Sequence, residues 1–426
     1  MEIELTPDLI LSHVTVKKII EKKTDHLGNI INLMELTPKL IFLKSSNSKW
    51  NKYAIIEFNY HSIVQNLNHQ ILRIFLKIRH IKNVNNQFSL IKAIGLFYRE
   101  IEIYSCVFKK ILKTEDEDIV PQFFHAENDA ILIIEDMKSK NYRKINKMRA
   151  LDISHCIVVL KCLARFHARS IIYHQKLETT FPLIGYTKHY SNTEKMFINQ
   201  PESYLRVHFS KIGYNLSDAF HLIKELETLE YKKFKIIFLE MVGKFFDIVA
   251  NPNFSKFRVL CHSDLVASNL LFRYNEINEP VTCCFINFQF TKYSSQAYDL
   301  WGFLYMNTTE KMRNEKVDVF CKIYHETLFE ILNNNQVDAS IIFPYSEFND
   351  MMKKYRIYGL MQGILNLYEE LRKDLKSKYG KEYRDILIQL WNDSMELSCE
   401  NNKKYRDYKK RIVDEIVELY WMTMTI

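Results

Sequence analysis

The apolar residues change their spacing partway along the chain, and that change limits the folds open to it. Between Lys39 and Arg79 three short runs alternate apolar and polar residues: "KLIFLKSS", "YAIIEFNYH" and "ILRIFLKIR". They are β-branched and aromatic, with polar turns between them, and read as strands. From Phe88 to about Leu112 the step becomes three or four. Ile91, Ile94, Phe97, Ile101, Tyr104, Phe108 and Ile111 then share one face of an amphipathic helix. "KTEDED" follows and reads as a solvated acidic turn, and "AILIIEDM" (130–137) reads as a further strand. Strands enclosing a helix predict a small α+β unit at the N-terminal end. Residues 1–31 also read as helix.

Beyond Met137 the pattern is mostly helical. "ALDISHCIVVLKCLARFHARS" places Ile153, Ile157, Leu160, Leu163 and His167 on one face, with Asp152 as its cap. Residues from about Ser217 to Val249, and from Ala297 onward, read as helix too. The exception is an insert of three strand-like runs, "KFRVLC", "NLLFRY" and "PVTCCFIN", the last two joined by the turn "NEINEP". A chain of 426 residues is too long for one small core. The expected division is residues 1–137, small and β-rich, and residues 138–426, large and mostly helical, with a hinge near Glu135 to Ser139.

Composition narrows the classes of function. The net charge of +8 comes from scattered basic residues, with no arm or stripe that would suit nucleic acid. No run approaches the ~18 apolar residues of a membrane span. The N-terminus has no signal-peptide core. The eight cysteines lack C-x-x-C spacing, which predicts a reduced, cytoplasmic protein. Cys283 and Cys284, adjacent in a strand, are expected on opposite faces. Cys261 beside His262 is a poor zinc pair, because neighbours in sequence rarely chelate one ion. Oligomeric state and protein partners are not legible.

Chemistry concentrates in "VLCHSDLVASNLLFRY" (259–274), where His262, Asp264 and Asn269 sit between two apolar runs. An Asp at a strand end orients and deprotonates a hydroxyl, and an Asn five residues on offers an oxygen to a metal. The same spacing also suits an ordinary polar turn. Two further residues are anomalous. Lys77 shares a strand face with Phe75, and Glu100 lies along the apolar stripe of its helix. Each needs an oppositely charged partner, and strand followed by helix lets them meet. The other reading is two snorkelling side chains.

Taken in order, a strand Lys, a helix Glu, a strand before a hinge, then H-x-D-x-x-x-x-N follow the protein-kinase-like template. The chain resembles the ecdysteroid-kinase-like family, related to choline kinases and aminoglycoside phosphotransferases. The stretches that carry this are "FLKIRH", "FYREIEIY", "ILIIEDM", "LARFHARS", "VLCHSDLVASNLLFRY" and "FINFQFTKYSSQAYDLWGFLY". The resemblance implies a bilobal protein-kinase-like α+β fold and an ATP-dependent transfer of phosphate to a hydroxyl of a small metabolite, steroid-like or xenobiotic. It implies that Lys77 binds phosphate with Glu100 as its partner. Glu135 and Asp136 fall at the hinge that holds adenine through backbone groups. Asp264 corresponds to the catalytic base, His262 to a brace of its loop, and Asn269 and Asn287 to magnesium ligands. Asp299 and His167 are expected to be structural.

Three departures stand out. Members of the family it resembles usually carry D-F-Q where this chain has Asn287-Phe288-Gln289. Asn keeps an oxygen acceptor but loses the charge, and a unit charge pair about 4 Å apart is worth about 4 kcal/mol at an effective dielectric near 20. The turn "SSNSKWNKY" lacks the glycine expected where backbone approaches phosphate. Glycine is scarce throughout, at nine residues. Ser263 stands where the family has Gly. Magnesium use is therefore in doubt, and the alternative is a catalytically impaired pseudokinase that binds nucleotide or a small apolar ligand.

Overall fold

The computed structural model describes residues 39–43, 51–60, 70–79, 87–116, 118–127, 130–145, 150–177, 206, 229–249 and 257–379. The expected helix over 1–31, residues 45–50 of the glycine-free turn and residues 217–228 lie outside these. The N-terminal part is rich in sheet and the C-terminal part in helix. Among the described residues no helix is long and apolar enough to cross a membrane.

Five antiparallel strands form the first sheet: β1 (Lys39–Phe42), β2 (Asn51–Tyr60), β3 (Gln70–Arg79), β4 (Phe123–Glu127) and β5 (Ile131–Glu135), in the order β1-β2-β3-β5-β4. Strand β3 is central and behaves as its alternation predicts. Ile74, Leu76 and Ile78 are buried on one side, while Lys77 falls on the other side with Phe75. Register sets Lys77 opposite Tyr53 on β2 and Leu132 on β5. Strand β4 was not expected. Its pairing with β5 is irregular between Phe123 and His125, which blurs the alternation that would have announced it.

Helix α1 (Gln87–Glu102) runs on through a π-helical turn, Ile103–Val107, into a last α-turn, Phe108–Ile111. The expected stripe is buried where its side chains are described: Phe97, Ile101, Tyr104, Phe108 and Ile111. Helix α2 (Ile153–Leu177) starts at Asp152, whose carboxylate accepts from the His155 amide at 3.0 Å. Its apolar face begins later than the spacing suggests, because Ile153 is 42% exposed. Further along, Val159, Leu160, Cys162, Leu163, Phe166 and His167 are all buried, so this helix is covered on more than one side.

The acidic turn after α1 corrects the sequence reading. Glu115 is exposed as expected, but Asp116 is fully buried in a two-pronged ion pair with Arg169 of α2, at 2.7 and 3.0 Å. The planar guanidinium offers the fork that makes so buried a carboxylate tolerable.

The three-run insert forms β7 (Val259–Cys261), β8 (Leu270–Tyr274) and β9 (Pro280–Phe285). Strands β8 and β9 make a hairpin, with a two-residue strand, β6 (Arg143–Lys144), on the far side of β8. Its turn is closed by Asn275, whose side chain accepts from the Glu279 amide at 2.8 Å, and by Asn278 at φ 62°. Cys283 and Cys284 are both buried on opposite sides of β9. The Cys283 amide donates to the Cys162 sulfur, and Cys284 packs with Met137 and Tyr142. The seven described cysteines are free thiols. A short strand, β10 (Lys292–Ser294), pairs with β7.

The chain divides into two compact units. The first comprises residues 1–193, 259–293 and 318–339, and the second residues 194–258, 294–317 and 340–426. In the second unit, α3 (Leu229–Val249), α4 (Gln296–Asn307) and α7 (Tyr345–Tyr379) pack closely. Tyr298 stacks on Tyr358 and the Trp301 indole donates to the Met352 carbonyl. Gly359 lets α7 lie against Trp301 and Tyr305, leaving no room for a Cβ. Helices α5 (Glu310–Asn334) and α6 (Ala339–Ile342) complete the described chain.

Candidate active site

The hairpin β8–β9 explains why residues far apart in sequence meet. Leu270 pairs with Phe285, so the residues just before β8 and just after β9 are neighbours. The Ile286 amide donates to the Asn269 carbonyl at 3.1 Å, which sets Asn287 beside Asn269. Strand β7 delivers the segment from His262 to Asp264 to the same place. That strand is held to α2 through Ser170, whose hydroxyl accepts from the Leu260 amide at 3.1 Å.

Lys77 and Glu100 form a buried ion pair at 2.5 Å, their side chains 3% and 2% exposed. The Lys77 ammonium also donates to Asn287 Oδ1 at 3.2 Å and to Gln289 Oε1 at 3.4 Å. Asn287 Nδ2 donates to Asn269 Oδ1 at 2.7 Å. Asn269 Nδ2 donates in turn to the Asp264 carboxylate at 2.9 Å and to its carbonyl at 2.8 Å. Glu100, Lys77, Asn287, Asn269 and Asp264 are thus joined in one unbroken chain of hydrogen bonds, within the first unit.

His262 is fully buried and its tautomer follows from its partners. Nε2 lies 3.0 Å from the Ile286 carbonyl, which only accepts, so Nε2 carries the proton. Nδ1 then accepts from the Asp264 amide at 3.2 Å. The neutral ring therefore fixes the backbone on both sides of the Asp264 loop. Ser263 between them has φ 69°, in the left-handed region where a Cβ is strained, and this is the position where a glycine was expected. Asn287 also has a positive φ, 68°, which Asn tolerates better than most residues.

Of the anticipated site residues, Lys77, Glu100, His262, Asp264, Asn269 and Asn287 are brought together. The side chains of Glu135 and Asp136 are engaged elsewhere. Glu135 pairs with Lys140 at 3.0 Å, and Asp136 pairs with Arg73 at 3.1 Å while capping a 3-10 turn through the Lys138 amide. Near them, the Glu135 amide donates to the Gln122 carbonyl, and the Asp136 carbonyl accepts from Ser139. His167 is buried, its Nδ1 2.6 Å from the Tyr324 hydroxyl. Asp299 is buried in the first turn of α4.

Two contributors were missed from sequence. Gln289 reaches Lys77. Phe288 is wedged against Tyr104, Phe108, Phe166 and His262, with ring centroids 4.7 to 5.7 Å away. Both follow Asn287 directly, and the ring of Phe288, in the middle of the triplet, anchors the amides on either side of it. The buried Tyr104 hydroxyl is pushed well above its ordinary pKa, first by burial and then by the nearby Glu100 carboxylate.

A magnesium ion held by Asn269 and Asn287 would need their oxygens. Magnesium is usually bound through one or two carboxylates with near-octahedral geometry. Here neither residue carries charge, and both Oδ1 atoms already accept from N–H donors. The pair as placed does not fit that ion.

No curated protein matches the chain. Among solved structures, that of a microcompartment-associated aminopropanol kinase is similar, with 10% sequence identity and a TM-score of 0.32, over 92% of this chain and 98% of that one. The sequence pattern of the ecdysteroid kinase-like family matches residues 56–337, which hold every residue of the hydrogen-bonded chain from Glu100 to Asp264. The protein belongs to the ecdysteroid kinase-like family.

Proposed function

We propose that the protein is an ATP-dependent phosphotransferase acting on a hydroxyl of a small metabolite, within a bilobal fold divided near residue 137. The observation that carries this reading is the unbroken chain from Glu100 through Lys77, Asn287 and Asn269 to Asp264. A buried ammonium and a carboxylate, held at opposite ends of one rigid network, suit the two ends of a phosphoryl transfer.

In this reading the nucleotide phosphates take the Lys77 hydrogen that otherwise goes to Gln289 at 3.4 Å, and Glu100 holds the ammonium in place. The strand end Glu135–Asp136 receives the adenine through backbone groups. Asp264 accepts the proton of the substrate hydroxyl as its oxygen bonds to the γ-phosphorus, while the bond from that phosphorus to the bridging oxygen breaks and ADP leaves. Asn269 fixes the Asp264 carboxylate, and His262 fixes its backbone. Catalysis is then positioning plus charge stabilisation. With the stabilising charge resting on Lys77, turnover is expected to be slow.

A second reading is favoured by one contact. The hydrogen bond from Asn287 to Asn269 closes the place of the metal, which suits a protein that binds nucleotide or a small apolar ligand without turnover. The test is ADP release from ATP with a panel of hydroxylated steroids and plant-type alcohols, for the native protein and Asp264→Ala. The first reading expects release that Asp264→Ala abolishes while ATP affinity stays within about threefold. Equal release from both proteins would remove Asp264 as the base. ATP binding with no release from any acceptor would favour the second reading.

A further inference from the structure

We infer that the amide of Asn287 stands in the place of a divalent cation, so that this site takes nucleotide phosphates at Lys77 with no cation held by the protein. The inference rests on the reading, common to both proposals above, that phosphates meet Lys77.

The argument is one of donors and acceptors. The Lys77 ammonium has only hydrogens to give, and the Asp264 carboxylate has only lone pairs. Between them lie two amides, each with one end of either kind. Asn287 turns its oxygen to Lys77 and its N–H to Asn269. Asn269 turns its oxygen to Asn287 and its N–H to Asp264. Flipping either amide would set N–H against ammonium, or oxygen against oxygen. The two ends therefore fix the direction of the whole chain, and no alternative arrangement satisfies it.

Two consequences follow. Each amide oxygen already accepts from one N–H donor, which takes one of its two lone pairs. An N–H group also lies on the 2.7 Å line between residues 287 and 269, where an ion shared by the two would sit. A carboxylate at 287 could not donate there. Its oxygen would face Asn269 Oδ1 as a second acceptor, and two facing acceptors call for a cation or a water between them. Electrostatics points the same way. Lys77 and Glu100 cancel, so the chain leaves one carboxylate, Asp264, where a carboxylate at 287 would make two.

The experiment is calorimetric titration of the full chain with ATP, once with EDTA and once with Mg²⁺, for the native protein and Asn287→Asp. Mn²⁺ binding without nucleotide is followed in parallel by electron paramagnetic resonance. The expected result is a native Kd for ATP that agrees within about threefold in the two buffers. Asn287→Asp should bind ATP at least tenfold tighter with Mg²⁺ and acquire a bound Mn²⁺ signal that the native protein lacks. Native binding that tightens tenfold or more with Mg²⁺ overturns the inference and leaves the nucleotide reading intact. If ATP binds in neither buffer, the nucleotide reading fails, and the Mn²⁺ arm decides the rest. A native signal that Asn287→Ala removes would overturn the inference, while a signal confined to Asn287→Asp would uphold the replacement of the ion. Should Asn287→Asp not fold, the two-buffer comparison on the native protein still decides.

Discussion

Replacing Lys77 by Met should be among the most damaging single changes in the first unit. The substitution leaves the Glu100 carboxylate buried, with its 2.5 Å partner gone. Breaking a buried pair by removing one member costs about 3–5 kcal/mol, most of it the penalty of a stranded charge. Asn287 and Gln289 lose their donor as well. Removing both charges, as Lys77→Met with Glu100→Leu, changes the balance. No buried charge remains, and the residual cost is that of the amide oxygens left without a donor, about 1–3 kcal/mol. The double variant should therefore be about 2 kcal/mol more stable than Lys77→Met alone, despite carrying one more substitution. Urea unfolding followed by far-ultraviolet circular dichroism measures this, with the shift expected in the transition belonging to the first unit. A double variant as unstable as the single one would refute the stranded-charge account. It would mean that the fold depends on the ion pair itself, or that water reaches Glu100.

Other outcomes follow from local geometry. Gly359→Ala drives a Cβ into a Tyr305 ring carbon and to within 2.8 Å of the Trp301 carbonyl oxygen, so the second unit should lose about 1–3 kcal/mol in thermal unfolding. Ser263→Gly relieves a left-handed backbone and should raise stability by up to about 1 kcal/mol; a loss would show that the serine side chain is needed there. Among the described cysteines, Cys106 is exposed, whereas burial pushes the Cys156 and Cys321 thiols up to about 12. An aromatic disulfide reagent at pH 8 should label Cys106 quickly and these two only on unfolding, and Cys106→Ser should lower the fast phase by one thiol.

The anomalous residues were legible because they broke a local rule. Lys77 interrupts an apolar strand face and Glu100 an apolar helix stripe, and each such break demands a partner. The hairpin was legible because β8 and β9 carry strand patterns and end on a polar turn. These signals are short-range, and the alternation of a strand or the stripe of a helix is written in consecutive residues. Strand β4 escaped because its irregular pairing with β5 hides the alternation. The burial of Asp116 escaped because its guanidinium partner lies 53 residues away on another element.

By itself, the sequence determined which side chains would be forced inward and which elements would carry them. It also showed an amide at 287, where the family resemblance leads one to expect a carboxylate. Only the tertiary structure decided what that amide does. Its direction depends on Lys77, 210 positions away across the first sheet, and on Asn269, reached through the closing end of a hairpin. An amide is a donor at one end and an acceptor at the other, so its chemistry is undefined until its neighbours in space are fixed. Here the ammonium at one end and the carboxylate at the other leave it a single orientation.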